Sequence, residues 1–329
     1  MAITEILFRV DCDHDIGSGH LSRCMSLAEE VKKKSLTPRF ILYGDGNAKN
    51  ILLDAGFAFA QGFGQTLNEQ ITELDNFDVL GKIVIADFIH IKSLSHPSDL
   101  QNLLAAWRKK TNLFALIDGG FSQSARKKIK FLPIDVLVAP YFEEKIIKKA
   151  PYLQLAGPKY FIFNKAYNDV TAKNIFYSAN KILVTCGGSD PLSISGCILK
   201  SLNKISVPLE IKVIEGSLFE NKLKLSLRDF AFNSPHKVEI LKAPKNIFQE
   251  MQWCDLAIST SGLTKYELAL TGTPMISISI DLDHEVANES FLKQGTSISL
   301  GFFDKKKTPD LINKNVSEFL FDVERRRSM

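Results

Sequence analysis

Short apolar runs alternate along this chain with longer segments whose apolar residues recur every three or four positions. The first run, residues 6–10, is apolar apart from Arg9 and predicts a buried strand. A polar loop follows, and beyond it apolar side chains return at the spacing of an amphipathic helix. The apolar members of this helix are Leu21, Met25, Leu27, Ala28 and Val31. The chain therefore begins with a strand, a glycine-containing loop and a helix.

The same alternation continues through both halves of the chain. Further strands are predicted at residues 38–43, 57–63, 82–87, 113–117, 136–139, 181–185, 209–214, 238–241, 256–259 and 274–280. Helices are predicted at residues 50–56, 100–110, 192–203, 220–230, 246–254, 265–270 and 285–294. A further, polar helical stretch is predicted to end at about residue 74. Strands and helices that alternate at this spacing predict an α/β protein with doubly wound parallel sheets.

The alternation stops between residues 140 and 174, where Pro151, Gly157 and Pro158 accompany an aromatic cluster without clear periodicity. We expect this segment to contain the linker between two Rossmann-like domains, residues 1–165 and 166–329. A chain of 329 residues is long enough for two domains of ordinary size. The two halves share their order of elements but not their sequence, so no internal repeat is predicted.

Composition argues against several classes of protein. The 41 basic and 37 acidic residues leave a net charge of +4, which does not by itself indicate a nucleic-acid partner. No stretch reaches the ~18 apolar residues that a membrane span needs, and the N-terminus lacks a signal-peptide pattern. The five cysteines are an odd number without a Cys-x-x-Cys motif, which favours reduced thiols in a cytoplasm. We expect a cytoplasmic monomer that neither spans a membrane nor binds nucleic acid.

The loop after the first strand carries the first candidate chemistry. Gly17, Ser18 and Gly19 precede His20 at the predicted helix start, but Ser22 stands where a dinucleotide-binding fingerprint requires its third glycine. A histidine near the positive end of a helix should favour the neutral imidazole, which can accept a proton. On residue chemistry alone, a catalytic base and a structural histidine are equally good interpretations.

Asp87 closes the predicted strand at residues 82–87. In parallel α/β sheets the carboxyl ends of the strands are where ligand sites are built. The alternative is that Asp87 only caps the following loop. Its position alone slightly favours this alternative.

The C-terminal half contains a second candidate site at the start of a predicted helix. Ser261, Gly262, Leu263 and Thr264 carry no charge, and small residues let the backbone approach a ligand closely. Free N–H groups in the first turn of a helix attract anions. The segment therefore predicts a diphosphate site.

A glycine turn follows the predicted strand at residues 181–185. Turn chemistry explains Gly187, Gly188 and Pro191, but it does not easily explain Ser189 and Asp190 together. We therefore interpret this turn as a further ligand contact.

The N-terminal segment resembles the UDP-sugar hydrolases of the pseudaminic acid pathway and the related spore-coat polysaccharide proteins, which share a Gly-x-Gly-His-x-x-Arg loop. Two later segments extend the resemblance, a Gly-Pro-basic-Tyr motif at residues 157–160 and a small-residue loop followed by a glutamate at residues 259–267. The residues that carry the N-terminal match are Arg9, Asp11, Ile16, Gly17, Ser18, Gly19, His20, Arg23, Leu27 and Ala28.

The resemblance implies a GT-B fold, in which two Rossmann-like domains face each other across a cleft. Residues 1–165 would supply the sugar pocket and the catalytic loop, and residues 166–329 would bind UDP. The implied substrate is a UDP-linked 2,4-diacetamido-2,4,6-trideoxy sugar, cleaved at its anomeric C1–O bond. The released sugar would feed the synthesis of a nonulosonic acid for surface polysaccharide, without a metal or other cofactor.

The resemblance also implies roles for single residues. His20 would be the catalytic base that activates or orients water, and Glu267 would hold the ribose hydroxyls of the nucleotide. The other residues placed at the substrate are Asp11, Gly17, Ser18, Gly19, Arg23, Asp87, Gly187, Gly188, Ser189, Asp190, Ser261, Gly262, Leu263, Thr264, His284 and Asn288. Asp281, Asp283 and His284 could in principle ligate a metal, but the resemblance requires none.

The sequence departs from the family pattern at three places. Phe88 stands where the relatives carry a histidine, Gly119 where they carry a second aspartate, and the segment Asp283-His284-Glu285 where they usually carry Asn-Gln. The first two changes fall in the half that would shape the sugar pocket, so the identity of the sugar is the least determined part of the prediction.

Three other functions remain open from sequence. A GT-B glycosyltransferase would use the same nucleotide site and pass the sugar to an acceptor other than water. A binding protein could keep the fold without the chemistry, although the intact Gly17–Arg23 loop argues against it. A hydrolysing 2-epimerase shares the architecture but needs acidic acid–base residues and an arginine–histidine set that this sequence does not show.

Overall fold

The computed structural model describes residues 4–13, 18–87, 97–118, 129–142, 146–242, 244, 246–260 and 262–329. Gly17, Phe88, Gly119 and Ser261 and the side chain of Asp283 lie outside the described part of the chain. The chain divides into two compact units, Met1–Phe163 and Asn164–Met329. None of the described helices is long and apolar enough to cross a bilayer.

The N-terminal unit is built on a seven-stranded parallel sheet in the order β3-β2-β1-β4-β5-β6-β7. Its strands are β1 (Glu5–Cys12), β2 (Thr37–Gly44), β3 (Phe59–Gln61), β4 (Ile83–Asp87), β5 (Leu113–Ile117), β6 (Val136–Ala139) and β7 (Leu153–Ala156). Its described helices are α1 (Gly19–Lys33), α2 (Gly46–Asp54), α3 (Leu67–Glu73) and α4 (Pro97–Lys110). The sheet brings β1 beside β4, although α1, α2, α3 and two strands separate them in sequence.

Both faces of this sheet are covered, which explains the nearly continuous apolar runs of its strands. Phe8 belongs to the core cluster that includes Leu21 and Ala28 of α1. Leu7, its neighbour in β1, belongs to a second cluster that includes Trp107 of α4. Successive side chains of one strand thus enter opposite cores.

The C-terminal unit repeats this architecture with a six-stranded parallel sheet in the order β10-β9-β8-β11-β12-β13. Its strands are β8 (Lys181–Thr185), β9 (Glu210–Glu215), β10 (Lys237–Lys242), β11 (Leu256–Thr260), β12 (Met275–Ser279) and β13 (Ser297–Phe302). Its helices are α5 (Ile194–Leu202), α6 (Asn221–Phe232), α7 (Phe248–Trp253), α8 (Thr264–Leu270), α9 (Leu282–Lys293), α10 (Thr308–Phe321) and α11 (Val323–Ser328). Two parallel sheets with alternating helices confirm the predicted fold class.

The main difference from the sequence prediction is strand β7, which lies in the segment that we interpreted as irregular. β7 has only four residues and follows β6 at the edge of the sheet, where Leu153 is 59% exposed. So short a segment with a half-exposed pattern carries no usable periodicity. Elements β13, α10 and α11 also extend the second unit beyond residue 295, where the prediction ended.

Candidate functional site

The first candidate site is built where α1 begins beside the end of β4. Gly19 opens the helix after Ser18, so His20, Arg23 and Cys24 share the helix face that turns inward. All three side chains are buried. Each of them contacts Asp87, the last residue of β4, which is itself fully buried.

Arg23 forms a bidentate hydrogen-bonded ion pair with Asp87. The guanidinium donates from Nε to Oδ2 at 2.5 Å and from Nη2 to Oδ1 at 2.6 Å. Burial alone would raise the pKa of Asp87, but the charges of Arg23 and His20 and their hydrogen bonds outweigh it and hold the pKa well below its usual range. Asp87 is therefore a carboxylate that can only accept hydrogen bonds.

His20 places Nδ1 2.9 Å from Oδ1 of Asp87. Because the ionised carboxylate has no proton to give, the hydrogen in this contact belongs to Nδ1. The neutral ring then carries its lone pair on Nε2, and no described residue forms a hydrogen bond with Nε2. The arrangement resembles the orientation of a catalytic histidine by a buried carboxylate.

Arg23 also connects this pair to the neighbouring strand. Nη1 donates to the hydroxyl of Tyr141 at 3.2 Å, and Nη2 lies 3.4 Å from the backbone oxygen of Asp118. The Tyr141 hydroxyl donates to the same oxygen at 2.6 Å, and burial raises the pKa of Tyr141 to about 12. The Arg23 guanidinium, which we expected at the substrate, is thus directed at protein groups that end β4 and follow β5 and β6.

A second buried charge pair lies next to this site in β1. Arg9 donates from Nη1 to Oδ1 of Asp11 at 2.5 Å and from Nη2 to Gln70 at 3.0 Å, and its guanidinium lies 4.2 Å from the centre of the Tyr43 ring. Burial raises the pKa of Asp11, and the charge of Arg9 opposes this. The pairing of Val10 with Asp87 across β1 and β4 places Asp11 at the same end of the sheet as Asp87.

Sequence analysis missed Gln70 and Tyr43 in this group. Only Arg9, a charge within a buried apolar strand, signalled that polar partners had to lie nearby. The partners themselves come from α3 and β2, which tertiary packing alone brings to Arg9.

In the C-terminal unit, the predicted diphosphate loop connects β11 to α8. Gly262 has a φ of +150°, which side chains rarely adopt, and Leu263 stands immediately before the helix. Thr264 and Glu267 lie in the first turns of α8, which has seven residues. The loop thus has the strand–loop–helix geometry that we predicted, and its ligand stays a prediction.

Glu267 is a partly buried carboxyl group on this helix. Burial raises its pKa to about 7, and a hydrogen bond from Tyr167 acts in the opposite direction. Tyr167 ends the short 3-10 helix Lys165–Tyr167 at the start of this unit. Sequence analysis placed Tyr167 only in an aromatic cluster and did not connect it to Glu267.

Lys265 is another residue that the sequence did not reveal. Its side chain is 1% exposed, and burial lowers its pKa to about 7. Nζ donates to Oδ1 of Asn288 at 3.0 Å and lies 4.9 Å from the centre of the Phe291 ring. Asn288 is fully buried and donates to Ser279 at 2.7 Å, so its amide ties α9 to α8 and β12.

The remaining predicted residues lie at the N-terminal ends of α5 and α9. Asp190, at a φ of +43°, accepts hydrogen bonds from the backbone of Ile194 and from Ser195, and so caps α5. Gly187, at a φ of +76°, and Gly188 form the turn before it. A side chain at Gly216 would meet the Gly188 oxygen at 2.4 Å, so the turn packs closely against the residue after β9. Ser189 lies in the same turn, partly exposed.

His284 lies in the first turn of α9, where its backbone N–H donates to Asp281 at 2.8 Å. Burial lowers the pKa of His284 to about 4, and the charge of Asp281 opposes this. The imidazole is therefore neutral at pH 7. Within the described residues, no group of three or more His, Cys, Asp or Glu side chains could hold a metal ion.

Comparisons with known proteins show what this chain is similar to. No family model matches it. An uncharacterized protein of Methanocaldococcus jannaschii is 24% identical over 335 residues, a match that covers 96% of this chain. The chain spans 65% of that relative's length.

Solved structures are similar over nearly the whole chain. MurG of Acinetobacter baumannii has a TM-score of 0.62 and 13% identity, with 99% of this chain and 94% of that chain covered. The UDP-GlcNAc 2-epimerase of Neisseria meningitidis, bound to UDP-GlcNAc, has a TM-score of 0.61 and 12% identity, with 99% and 94% covered. The rhamnosyltransferase SpnG of spinosyn has a TM-score of 0.62 and 12% identity, with 98% and 93% covered. Together with the two parallel sheets, these similarities show that the chain has the GT-B fold.

Proposed function

We propose that this protein is an enzyme that acts on a nucleotide sugar, and specifically that it hydrolyses a UDP-sugar. The observation that carries the proposal is the contact between His20 and Asp87, which leaves Nε2 of a buried histidine as a proton acceptor. This histidine lies in the Gly-x-Gly-His-x-x-Arg loop, at the carboxyl edge of a parallel sheet where such folds build their sites.

The proposed step is a displacement at the anomeric carbon. Nε2 of His20 takes a proton from water, the water oxygen bonds to C1, and the bond from C1 to the phosphate oxygen breaks. The electron pair of that bond leaves with UDP. Asp87 keeps the histidine in the required tautomer and stabilises the imidazolium that forms.

The C-terminal unit would bind the nucleotide. Gly262 and Thr264 would approach the diphosphate with their backbone, and Glu267 would accept hydrogen bonds from the ribose. The similar structures support this role, because one of them is an epimerase bound to UDP-GlcNAc.

The family resemblance narrows the proposed substrate to a UDP-linked 2,4-diacetamido-2,4,6-trideoxy sugar. The product would then be the free sugar used for a pseudaminic-type nonulosonic acid. Asp11, whose buried carboxyl lies beside the His20 site, would contact this sugar.

A glycosyltransferase is the second candidate, because one of the similar structures, the spinosyn rhamnosyltransferase, carries that activity in its name. The same histidine could deprotonate an acceptor hydroxyl instead of water. The difference between the two activities is the acceptor, so the test must begin without one.

The deciding experiment measures UDP release from a panel of UDP-sugars in buffer without an acceptor, for the wild type and His20→Ala. Release that depends on His20 supports the hydrolase, and the best substrate identifies the sugar. Binding of a UDP-sugar without release would favour the transferase. Absence of UDP-sugar binding would contradict both.

A further inference from the structure

His20 and Arg23 bind the same buried carboxylate from one face of α1. Nδ1 of His20 lies 2.9 Å from Oδ1 of Asp87, and Nη2 of Arg23 lies 2.6 Å from the same oxygen. Both nitrogens direct a hydrogen at Oδ1, so the 3.2 Å between Nη2 and Nδ1 separates two donors. The permanent charge of Arg23 is therefore in direct contact with the ring that we propose as the base.

The charge of Asp87 is already balanced without the histidine. Nε of Arg23 donates to Oδ2 at 2.5 Å and Nη2 donates to Oδ1, so the guanidinium occupies both carboxylate oxygens. Burial lowers the pKa of Arg23, but the charge of Asp87 outweighs it and holds this pKa well above its usual range. An imidazolium at His20 would add a second positive charge 3.2 Å from the first, and a like charge at this distance disfavours protonation.

The guanidinium of Arg23 is fixed beside the ring by partners from several elements. Nη1 donates to the Tyr141 hydroxyl at 3.2 Å, and that hydroxyl donates to the backbone oxygen of Asp118 at 2.6 Å. Nη2 lies 3.4 Å from the same backbone oxygen. Groups at the end of β4 and in the segments after β5 and β6 thus hold all three nitrogens of the guanidinium.

Two further acidic residues of the described chain lie at this end of the sheet. Asp11 of β1 accepts a hydrogen bond from Arg9 at 2.5 Å, so this ion pair adds no net charge near His20. Asp118 follows β5 and is buried. Neither group changes in a variant of Arg23, so a change in the titration of His20 in such a variant reports the charge of Arg23.

Two neutral titratable groups also face this site. The Cys24 thiol of α1 lies 3.6 Å from Oδ2 of Asp87, and burial raises its pKa well above the usual range. Burial also raises the pKa of Tyr141 to about 12. Both groups therefore keep their protons at neutral pH and contribute no charge to the site.

We propose that Arg23 is a positioning residue that acts through Asp87 on His20. Its charge balances the carboxylate and keeps the imidazole neutral, which extends toward acid the pH range in which Nε2 can accept a proton. A buried carboxylate without such a counterion would instead pair with an imidazolium, which has no lone pair to offer. This inference rests on the proposed function, since it gives His20 the role of the base.

The test follows the protonation of His20 by NMR titration of its imidazole, together with the pH dependence of kcat/KM, in the wild type, Arg23→Gln and Arg23→Lys. Both variants lose the bidentate geometry, but only Arg23→Gln loses the charge. In Arg23→Gln we expect the midpoint of the His20 titration and the acid limb of kcat/KM to move to higher pH by about 1–3 units, the effect of a neighbouring charge. In Arg23→Lys both should stay close to the wild type. Equal shifts in the two variants, or no shift in Arg23→Gln, would overturn the inference.

A double variant decides the question if Arg23→Gln does not fold. Arg23→Gln combined with Asp87→Asn leaves no buried charge unpaired. If the two charges offset each other at His20, the midpoint should stay within about one pH unit of the wild type. If Arg23 has no effect on His20, the loss of Asp87 should lower the midpoint by about 1–3 units, which would overturn the inference.

Arg108→Gln is the matched control, because Arg108 also pairs with an aspartate of the same unit, Asp135, at 2.9 Å. Asp135 precedes β6 whereas Asp87 ends β4, so the two pairs lie at opposite edges of the parallel sheet. The control should leave the His20 midpoint unchanged, and a shift as large as that of Arg23→Gln would overturn the inference. A wild type that releases no UDP would overturn the proposed function, while the NMR titration still decides whether Arg23 sets the protonation of His20.

Discussion

The Asp87 carboxylate lies 2.9 Å from Nδ1 of His20, although 67 residues separate them in sequence. The contact exists because β4 pairs directly with β1, and α1 follows β1. A carboxylate in this position decides which ring nitrogen carries the proton. The geometry therefore assigns the lone pair of the neutral imidazole to Nε2.

We expect His20→Asn to lower turnover by about 10²–10⁴-fold, the usual contribution of a general base. The dissociation constant of UDP should change little, since in the proposed mechanism His20 acts on water and not on the nucleotide. Steady-state kinetics and calorimetry measure the two quantities. His236→Asn is the matched control, because both ring nitrogens of that buried histidine contact backbone groups of the C-terminal unit. Wild-type turnover in His20→Asn would make His20 structural.

Arg23 and Asp87 should be strongly coupled in stability. Removing one partner leaves a buried charge unpaired, so Arg23→Met or Asp87→Leu alone should each lower the free energy of unfolding by about 3–5 kcal/mol. The double variant has no unpaired charge and should lose far less than the sum. Urea unfolding of the four proteins measures the coupling. If the loss in the free energy of unfolding of the double variant equals the sum of the two single losses, Arg23 and Asp87 are not coupled.

Binding of UDP should depend on the ionisation of Glu267. The pKa of this carboxyl group is raised to about 7, so it is mostly protonated at pH 6 and ionised at pH 8. If only the ionised form accepts both ribose hydroxyls, affinity should rise about tenfold from pH 6 to pH 8. Calorimetry on Glu267→Gln gives the control, because that variant loses only the titration of Glu267 and retains the titrations of UDP and of Lys265. The same pH profile in both proteins would contradict the prediction.

Lys265 should make the protein more stable as the pH rises from 7 toward 10.5. Its pKa falls from 10.5 in the unfolded chain to about 7 in the fold, so the folded state binds fewer protons in this window. Unfolding then becomes less favourable with increasing pH, by up to about 4–5 kcal/mol across the window. The urea midpoint of Lys265→Met should lack this rise. Lys222→Met, at an exposed position of α6, should retain it.

The central strands and most helices could be predicted from sequence because each parallel strand is buried on both faces. Such strands appear as short apolar runs between amphipathic helices. Strand β7 could not be predicted, since its four residues lie at an edge and Leu153 is mostly exposed. The periodicity of apolar residues reflects how a segment is buried. A short edge strand is buried too little to produce a recognisable apolar pattern.

The sequence by itself determined the alternating α/β pattern, the loop that carries His20 and the small-residue loop before Glu267. These are local features, since a few neighbouring residues specify a turn, a helix start or an apolar run. Only the tertiary structure decided that Asp87 contacts His20 and that Lys265 is buried against Asn288. Those contacts join residues from different elements, and the order of strands in each sheet, which local sequence does not encode, brings them together.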